Sequence, residues 1–210
     1  MHASRFCLDD IEGKPLVLQQ RPALHQTLAG STGGTVWEAS LVLAHYVKRL
    51  GREYWYGMRV AELGAGIGLV GAVACVLGAD ITFTELEPLL DMLHVNGTML
   101  GKGRVPGMFG RADVQELTWG NAYAAGPPFD LLLAAEVTVD IFPADALRVS
   151  LLSMTRPGSI LFLAHEDRGA AGRLFFTLIK DEFTIERIPD DELDPVFRQD
   201  DVELYKITRL

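Results

Sequence analysis

The run Val60-Ala61-Glu62-Leu63-Gly64-Ala65-Gly66-Ile67-Gly68-Leu69-Val70-Gly71 constrains this chain more than any other feature. The apolar segment over 58–63 reads as a strand and the one over 67–77 as a helix. Between them stand Gly64, Gly66 and Gly68 at alternate positions. A strand that turns this tightly into a helix belongs to a βα unit. Glycine has no Cβ and tolerates positive φ, so a ligand can approach the backbone closely at such a turn. The helix start adds unpaired N–H groups and the positive end of a dipole. Together these features point to a nucleotide-like cofactor.

Two cofactor classes use this geometry. Gly66-x-Gly68-x-x-Gly71 spells G-x-G-x-x-G, the dinucleotide fingerprint. Read from Glu62, the run is instead E-L-G-x-G-x-G. A dinucleotide turn should begin where the strand ends, at Gly66, yet Leu63-Gly64-Ala65 intervenes. A carboxylate at position 62 suits a cationic ligand group. S-adenosylmethionine (SAM) carries such a group, whereas a pyrophosphate is anionic. Glu62, Gly64, Ala65, Gly66 and Gly68 are therefore the candidate SAM turn, with NAD as the lesser alternative.

Bulk properties narrow the rest. A chain of 210 residues, 49% hydrophobic, suits one domain with a substantial core. No apolar run reaches the ~20 residues of a membrane span, and Met1-His2-Ala3-Ser4-Arg5 lacks the apolar core of a signal peptide. No membrane association is expected. Two cysteines, Cys7 and Cys75, make no disulfide framework and read as reduced thiols of a cytoplasmic protein, with the nucleus as a second compartment. No Cys/His cluster has metal-ligand spacing, so no metal is expected. A net charge of -9 argues against a nucleic-acid partner and is compatible with a cationic substrate, although solubility alone would also account for it. The chain is expected to be a monomer.

Residues 1–34 read as an N-terminal extension with short strands, paired around Glu12-Gly13-Lys14-Pro15, and 26–34 as a loop by composition. Residues 35–210 read as one domain. Thr35-Val36-Trp37-Glu38 has the form of a capping box. It opens a helix with Leu41, Ala44 and Val47 on its apolar face, closing near Gly51. Strands at 58–63, 80–84, 129–135 and 159–164 then alternate with helices at 67–77, 88–100, 143–154 and 170–180. A weak strand is expected near 104–113, and strands at 182–188 and 202–209 close the chain. This alternation implies an α/β fold: a parallel sheet covered on both faces. The last strand is expected to be antiparallel, because no helix precedes it.

Ligands of open parallel sheets bind beyond the carboxyl ends of the strands. Glu85 ends the second strand of the alternation, 21 residues beyond Gly64 (85 − 64). An acid there can accept both ribose hydroxyls, and Glu85 is preferred to Glu87 because it follows the strand directly. Trp119 follows the weak third strand and offers a flat face for a purine. Trp37 sits at the start of a helix that can cover the cofactor. For both, the plainer alternative is a partly buried core tryptophan. Ala135 and Glu136 end the most apolar strand: a small residue where backbone meets ligand, then a carboxylate that can hold a cationic amine. The plainer reading of Glu136 is a loop acid near Asp140 and Asp145. His165 follows the fifth strand of the alternation, where it could border the substrate; the preferred reading is satisfied polar surface.

These residues resemble a known family. Val36-Trp37-Glu38-Ala39, the E-L-G-A-G-I-G-L-V-G loop, Thr84-Glu85, Leu117-Thr118-Trp119-Gly120 and Leu132-Leu133-Ala134-Ala135-Glu136 occur in the order and spacing of the seven-β-strand protein lysine methyltransferases, the methyltransferase-16 group. The resemblance runs from about residue 10 to the end. It implies a Rossmann-like class I SAM-dependent methyltransferase fold, with a seven-stranded sheet and a C-terminal antiparallel hairpin. It also implies a lysine-bearing protein substrate and cofactor contacts from Trp37, Gly64, Gly66, Glu85, Trp119 and Ala135. The family's D-x-x-Y motif reads Glu136-Val137-Thr138-Val139 here. The acid is retained, one methylene longer, and the tyrosine is a valine. The acceptor therefore stays open between a lysine, another nucleophile or a small molecule, beside a SAM-binding protein without turnover.

Overall fold

Strands β3 (Arg59–Leu63) and β6 (Leu131–Ala135) pair in parallel at the middle of a seven-stranded sheet, and both are buried over nearly their whole length. A strand covered on two faces has no polar side to show. The computed structural model describes residues 4–21, 32–102, 106–166 and 169–210. Outward on one side of β3 lie β4 (Asp80–Glu85) and β5 (Ala112–Glu116), both parallel to it. Outward from β6 lie β7 (Ile160–Glu166), β9 (Val202–Arg209) and β8 (Phe183–Arg187), so the order is β5-β4-β3-β6-β7-β9-β8. Only β9 runs antiparallel to its neighbours, as the missing crossover helix predicts. A separate hairpin, β1 (Ser4–Ile11) with β2 (Lys14–Gln20), precedes the sheet.

The strands' period of two divides the core. Val60, Leu131, Leu133, Phe162 and Ala164 face one buried cluster. It is completed by helices α1 (Glu38–Trp55), α2 (Leu69–Val76) and α3 (Glu87–Met99). Ala61, Leu63, Leu132, Ala134, Leu161 and Leu163 face the other cluster, which holds α4 (Ala144–Met154) and α5 (Ala170–Ile179). This is the class I methyltransferase architecture that the resemblance implies.

Two expected elements are corrected. The capping box at Thr35 does not form. The N-cap is Trp37, extended at φ -104 and ψ 154, with no side-chain cap. Tertiary bonds hold the preceding residues out of the helix: Val36 N–H donates to Gln20 Oε1, and Gly34 C=O accepts from Arg21 N–H. Gly51 does break the helix, at φ 75 and ψ 169, but a further turn continues to Trp55, whose indole N–H donates to Val47 C=O at 2.8 Å. The weak strand also moves, from 104–113 to Ala112–Glu116. It is an edge strand without a buried residue, so no apolar run marks it. Gly110 and the Arg111–Asp80 ion pair fix its start instead; a Cβ at Gly110 would lie 1.8 Å from Ala79 C=O. Of the loop expected at 26–34, residues 26–31 lie outside the described residues, as do 104 and 105 of the expected strand and Asp167 and Arg168 beyond His165.

Candidate active site

Four strand ends converge on a cavity of about 650 Å³. The turn after β3 forms its floor. Gly64 and Gly66 have φ of 59 and 55, a conformation that residues with a Cβ rarely adopt. A Cβ on Gly64 would lie 3.2 Å from Val137 and 3.3 Å from Trp119. One on Gly66 would lie 3.0 Å from Gly33 C=O. Residues 32–37 thus run across the turn, closed on themselves by Trp37 Nε1 donating to Thr32 C=O at 3.0 Å. Ile67 is fixed from below. Its C=O accepts from Asn96 Nδ2 at 2.8 Å, and the same buried side chain exchanges two bonds with the backbone of Gln19. Asn96 therefore ties the hairpin, α3 and the glycine turn together. The sequence reading missed it, although a polar residue on the buried stripe of Leu89, Met92 and Leu93 is a legible signal.

Trp37, Gly64, Ala65, Gly66, Glu85, Trp119, Ala135 and Glu136 all line the cavity. Glu85 does so where Glu87 does not; its Oε2 accepts from Gly66 N–H at 2.9 Å and its Oε1 from Leu86 N–H at 2.8 Å. Burial raises its pKa, and those two bonds oppose the shift. Trp119 stands edge-on to Phe142, with ring centroids 5.0 Å apart. Glu136 has φ 57, a left-handed conformation in a non-glycine residue, and its N–H donates to Ala164 C=O at 3.1 Å.

Gly68 and Glu62 do not line the cavity. A Cβ on Gly68 would meet Leu93 and Phe83 at 3.0 Å, so this glycine lets α2 settle on the sheet. Glu62 shares the face of Val60, beneath α2, by the alternation of β3. Its Oε2 accepts from Gly71 N–H at 2.9 Å, in the first turn of α2. The carboxyl is 4% exposed, and burial pushes its pKa up to about 8. The acid expected to meet the ligand's cation instead supports the helix above the turn. His165 departs from expectation too: it is buried, its Nδ1 2.7 Å from Thr138 Oγ1.

Among the described residues, the cavity walls carry three carboxylates (Glu85, Glu136 and Asp140) and no Lys, Arg or His. That is hostile to a pyrophosphate and suits a ligand bearing sulfonium and ammonium charges. Residues 19–182 match the sequence profile of the family described as lysine methyltransferase.

The chain belongs to that lysine methyltransferase family.

As a family member it is a methyltransferase that uses SAM. Protein N-lysine methyltransferase METTL21A of Mus musculus is 35% identical over 175 residues, 81% of this chain and 75% of the relative. The same enzyme of Danio rerio is 32% identical over 179 residues, 83% and 76% of the two chains. Among solved structures, a T. thermophilus 16S rRNA N2 G1207 methyltransferase in complex with AdoMet and guanosine superposes with a TM-score of 0.67. It is 18% identical, and the match covers 99% of this chain and 51% of that one. At that identity the likeness speaks for the fold alone. The cavity fits the cofactor on its own terms: a side-chain-free floor at Gly64 and Gly66, a carboxylate at the end of β4, and, among the described residues, walls without a cation.

Proposed function

We propose that this methyltransferase transfers a methyl group to a lysine side chain of a protein substrate. The observation that carries the reading is the edge of the cavity after β6. There Glu136 stands among Val137, Val139, Ile141 and Phe142. An apolar wall suits the four-carbon stem of lysine, and a carboxylate suits its ammonium. Asp140, the other acid on that edge, accepts from Ala171 N–H at 2.9 Å at the start of α5. Names of the relatives support the same acceptor.

In this reading Trp37, Gly64, Ala65, Gly66, Glu85, Trp119 and Ala135 hold the cofactor. Bound SAM supplies a methyl group already activated by its sulfonium charge. The protein's part is alignment and exclusion of water, with the nucleophile held about 3 Å from its target. Lysine must also lose a proton, since its free pKa is about 10.4. The apolar wall favours the neutral amine and a carboxylate opposes it, so Glu136 orients the amine rather than acting as a strong base.

On the same footing we place the protein in the cytoplasm, with the nucleus as second compartment, as a monomer without a nucleic-acid partner. The test is calorimetry with SAM and NAD, followed by transfer of labelled methyl from SAM to peptide libraries that differ only in a central lysine, arginine or norleucine. Micromolar SAM binding, with label on the lysine library alone, is expected. Label on another library, or on small molecules of an extract, would replace lysine as acceptor; Val139, in place of the motif tyrosine, favours that second reading. SAM binding without label on any acceptor would leave a binding protein.

A further inference from the structure

The segment 136–143 that shapes the acceptor edge is held from behind by a buried pair. Glu136, Val137 and Val139 line the cavity, whereas Thr138 does not. Thr138 turns the other way, 4% exposed, and its Oγ1 lies 2.7 Å from Nδ1 of His165, 3% exposed, near the end of β7. A hydroxyl can donate to a bare Nδ1 or accept from a protonated one, so the bond forms with either tautomer. The imidazole is wedged against α5. A Cβ at Gly172 would lie 2.5 Å from its Cε1 and 2.7 Å from its Nε2, and Phe176 meets it edge-on at 5.7 Å.

Two residues on, the same segment docks on the same helix. Asp140 Oδ1 accepts from Ala171 N–H, and a Cβ at Gly169 would lie 2.5 Å from Asp140 Oδ2. Gly169 and Gly172, three residues apart at the start of α5, leave room for these two side chains. The tethers at 138 and 140 bracket Val139.

We propose that His165 is a positioning residue for methyl transfer: through Thr138 and the first turn of α5 it fixes the segment that carries Glu136 and Val139. The proposal rests on the reading of Glu136 as the group that orients the amine. Neither His165 nor Thr138 lines the cavity, so neither touches cofactor or acceptor. Their effect is geometric: an acceptor edge displaced by about 1 Å loses on the order of a hundredfold in rate.

The experiment compares Thr138→Val, which keeps the shape and removes the hydroxyl, with Thr138→Ser, which keeps the hydroxyl. Amide hydrogen exchange is read over 136–143 and over β3 and β4. SAM affinity is read by calorimetry, and labelled-methyl transfer on the lysine peptide library. Thr138→Val is expected to speed exchange over 137–142 about tenfold, the loss of one buried hydrogen bond. Methyl transfer should fall with it, while exchange in β3 and β4 and SAM affinity stay within about threefold. Thr138→Ser should restore both readouts. Wild-type exchange in Thr138→Val, failure of Thr138→Ser to restore it, faster exchange throughout the sheet, or faster loop exchange with unchanged transfer would each overturn the proposal. If the wild type binds SAM but labels no peptide, the lysine reading fails; the exchange pattern still decides whether His165 holds the segment.

Discussion

Replacing Glu62 by glutamine tests whether a carboxyl sealed beneath the glycine turn keeps its proton in the folded protein. Gln keeps an oxygen acceptor for Gly71 N–H and carries no charge, so it mimics the protonated acid. The pKa of Glu62 rises from 4.5 to about 8 because burial outweighs the bonds from Gly71 and Val70. Below pH 4.5 the group is protonated in both the folded and the unfolded chain, and it contributes nothing to pH dependence. Between pH 4.5 and 8 the unfolded chain has released a proton that the folded chain retains, so stability falls as pH rises. This is opposite in sign to an ordinary ion-paired carboxylate. Across that window of about 3.5 pH units, at about 1.4 kcal/mol per unit, the loss is on the order of 5 kcal/mol. Urea unfolding of the wild type and Glu62→Gln at pH 5, 6, 7, 8 and 9, without SAM, measures it directly. The stability of the variant relative to the wild type should climb steadily to about pH 8 and then level off. Parallel curves would refute the reasoning. They would mean that the start of α2 holds Glu62 as a carboxylate at neutral pH.

Three further outcomes follow from the geometry. Glu136→Gln should slow methyl transfer about a hundredfold and leave the SAM dissociation constant within about threefold; equal loss of binding and rate would remove Glu136 from the acceptor edge. Asn96→Leu strips partners from Ile67 C=O and from both backbone groups of Gln19, and should destabilise the protein by about 2–4 kcal/mol in denaturant unfolding. His45 is buried and stacked on Phe197 at 3.5 Å; burial lowers its pKa despite Asp194 3.6 Å away. Its stabilising share is full above pH 6.5 and is lost as the pH falls below that value, because the unfolded chain then takes up the proton first. His45→Phe should flatten that part of the stability profile.

What was legible in the sequence was what the local chain decides. Apolar runs marked β3, β6 and β7 as strands, and the glycines marked the turn. Glu85, Trp119 and Glu136 could be set at the cavity because strand ends are where such sheets bind ligands. What was not legible depends on partners far away in the chain. Thr35 and Glu38 have the chemistry of a helix start, but bonds from Gly34 and Val36 to Arg21 and Gln20 hold Thr35 out of the helix. Glu62 looked like a ligand contact because it precedes the glycines, yet the alternation along β3 turns it beneath α2. β5 carries no apolar pattern because it lies at the edge of the sheet. His165 read as surface because the expected strand stopped at 164, whereas β7 runs to Glu166 and keeps the imidazole inside.

The backbone at position 136 has a consequence for how this protein can change. A left-handed conformation costs a residue with a Cβ about 1 kcal/mol, and glycine nothing. Glycine there would relax the turn and make the fold more robust. It would also delete the carboxylate that we propose orients the acceptor amine. Selection for stability and selection for activity thus pull this one position in opposite directions, and a lineage released from catalysis could gain stability here by a single substitution.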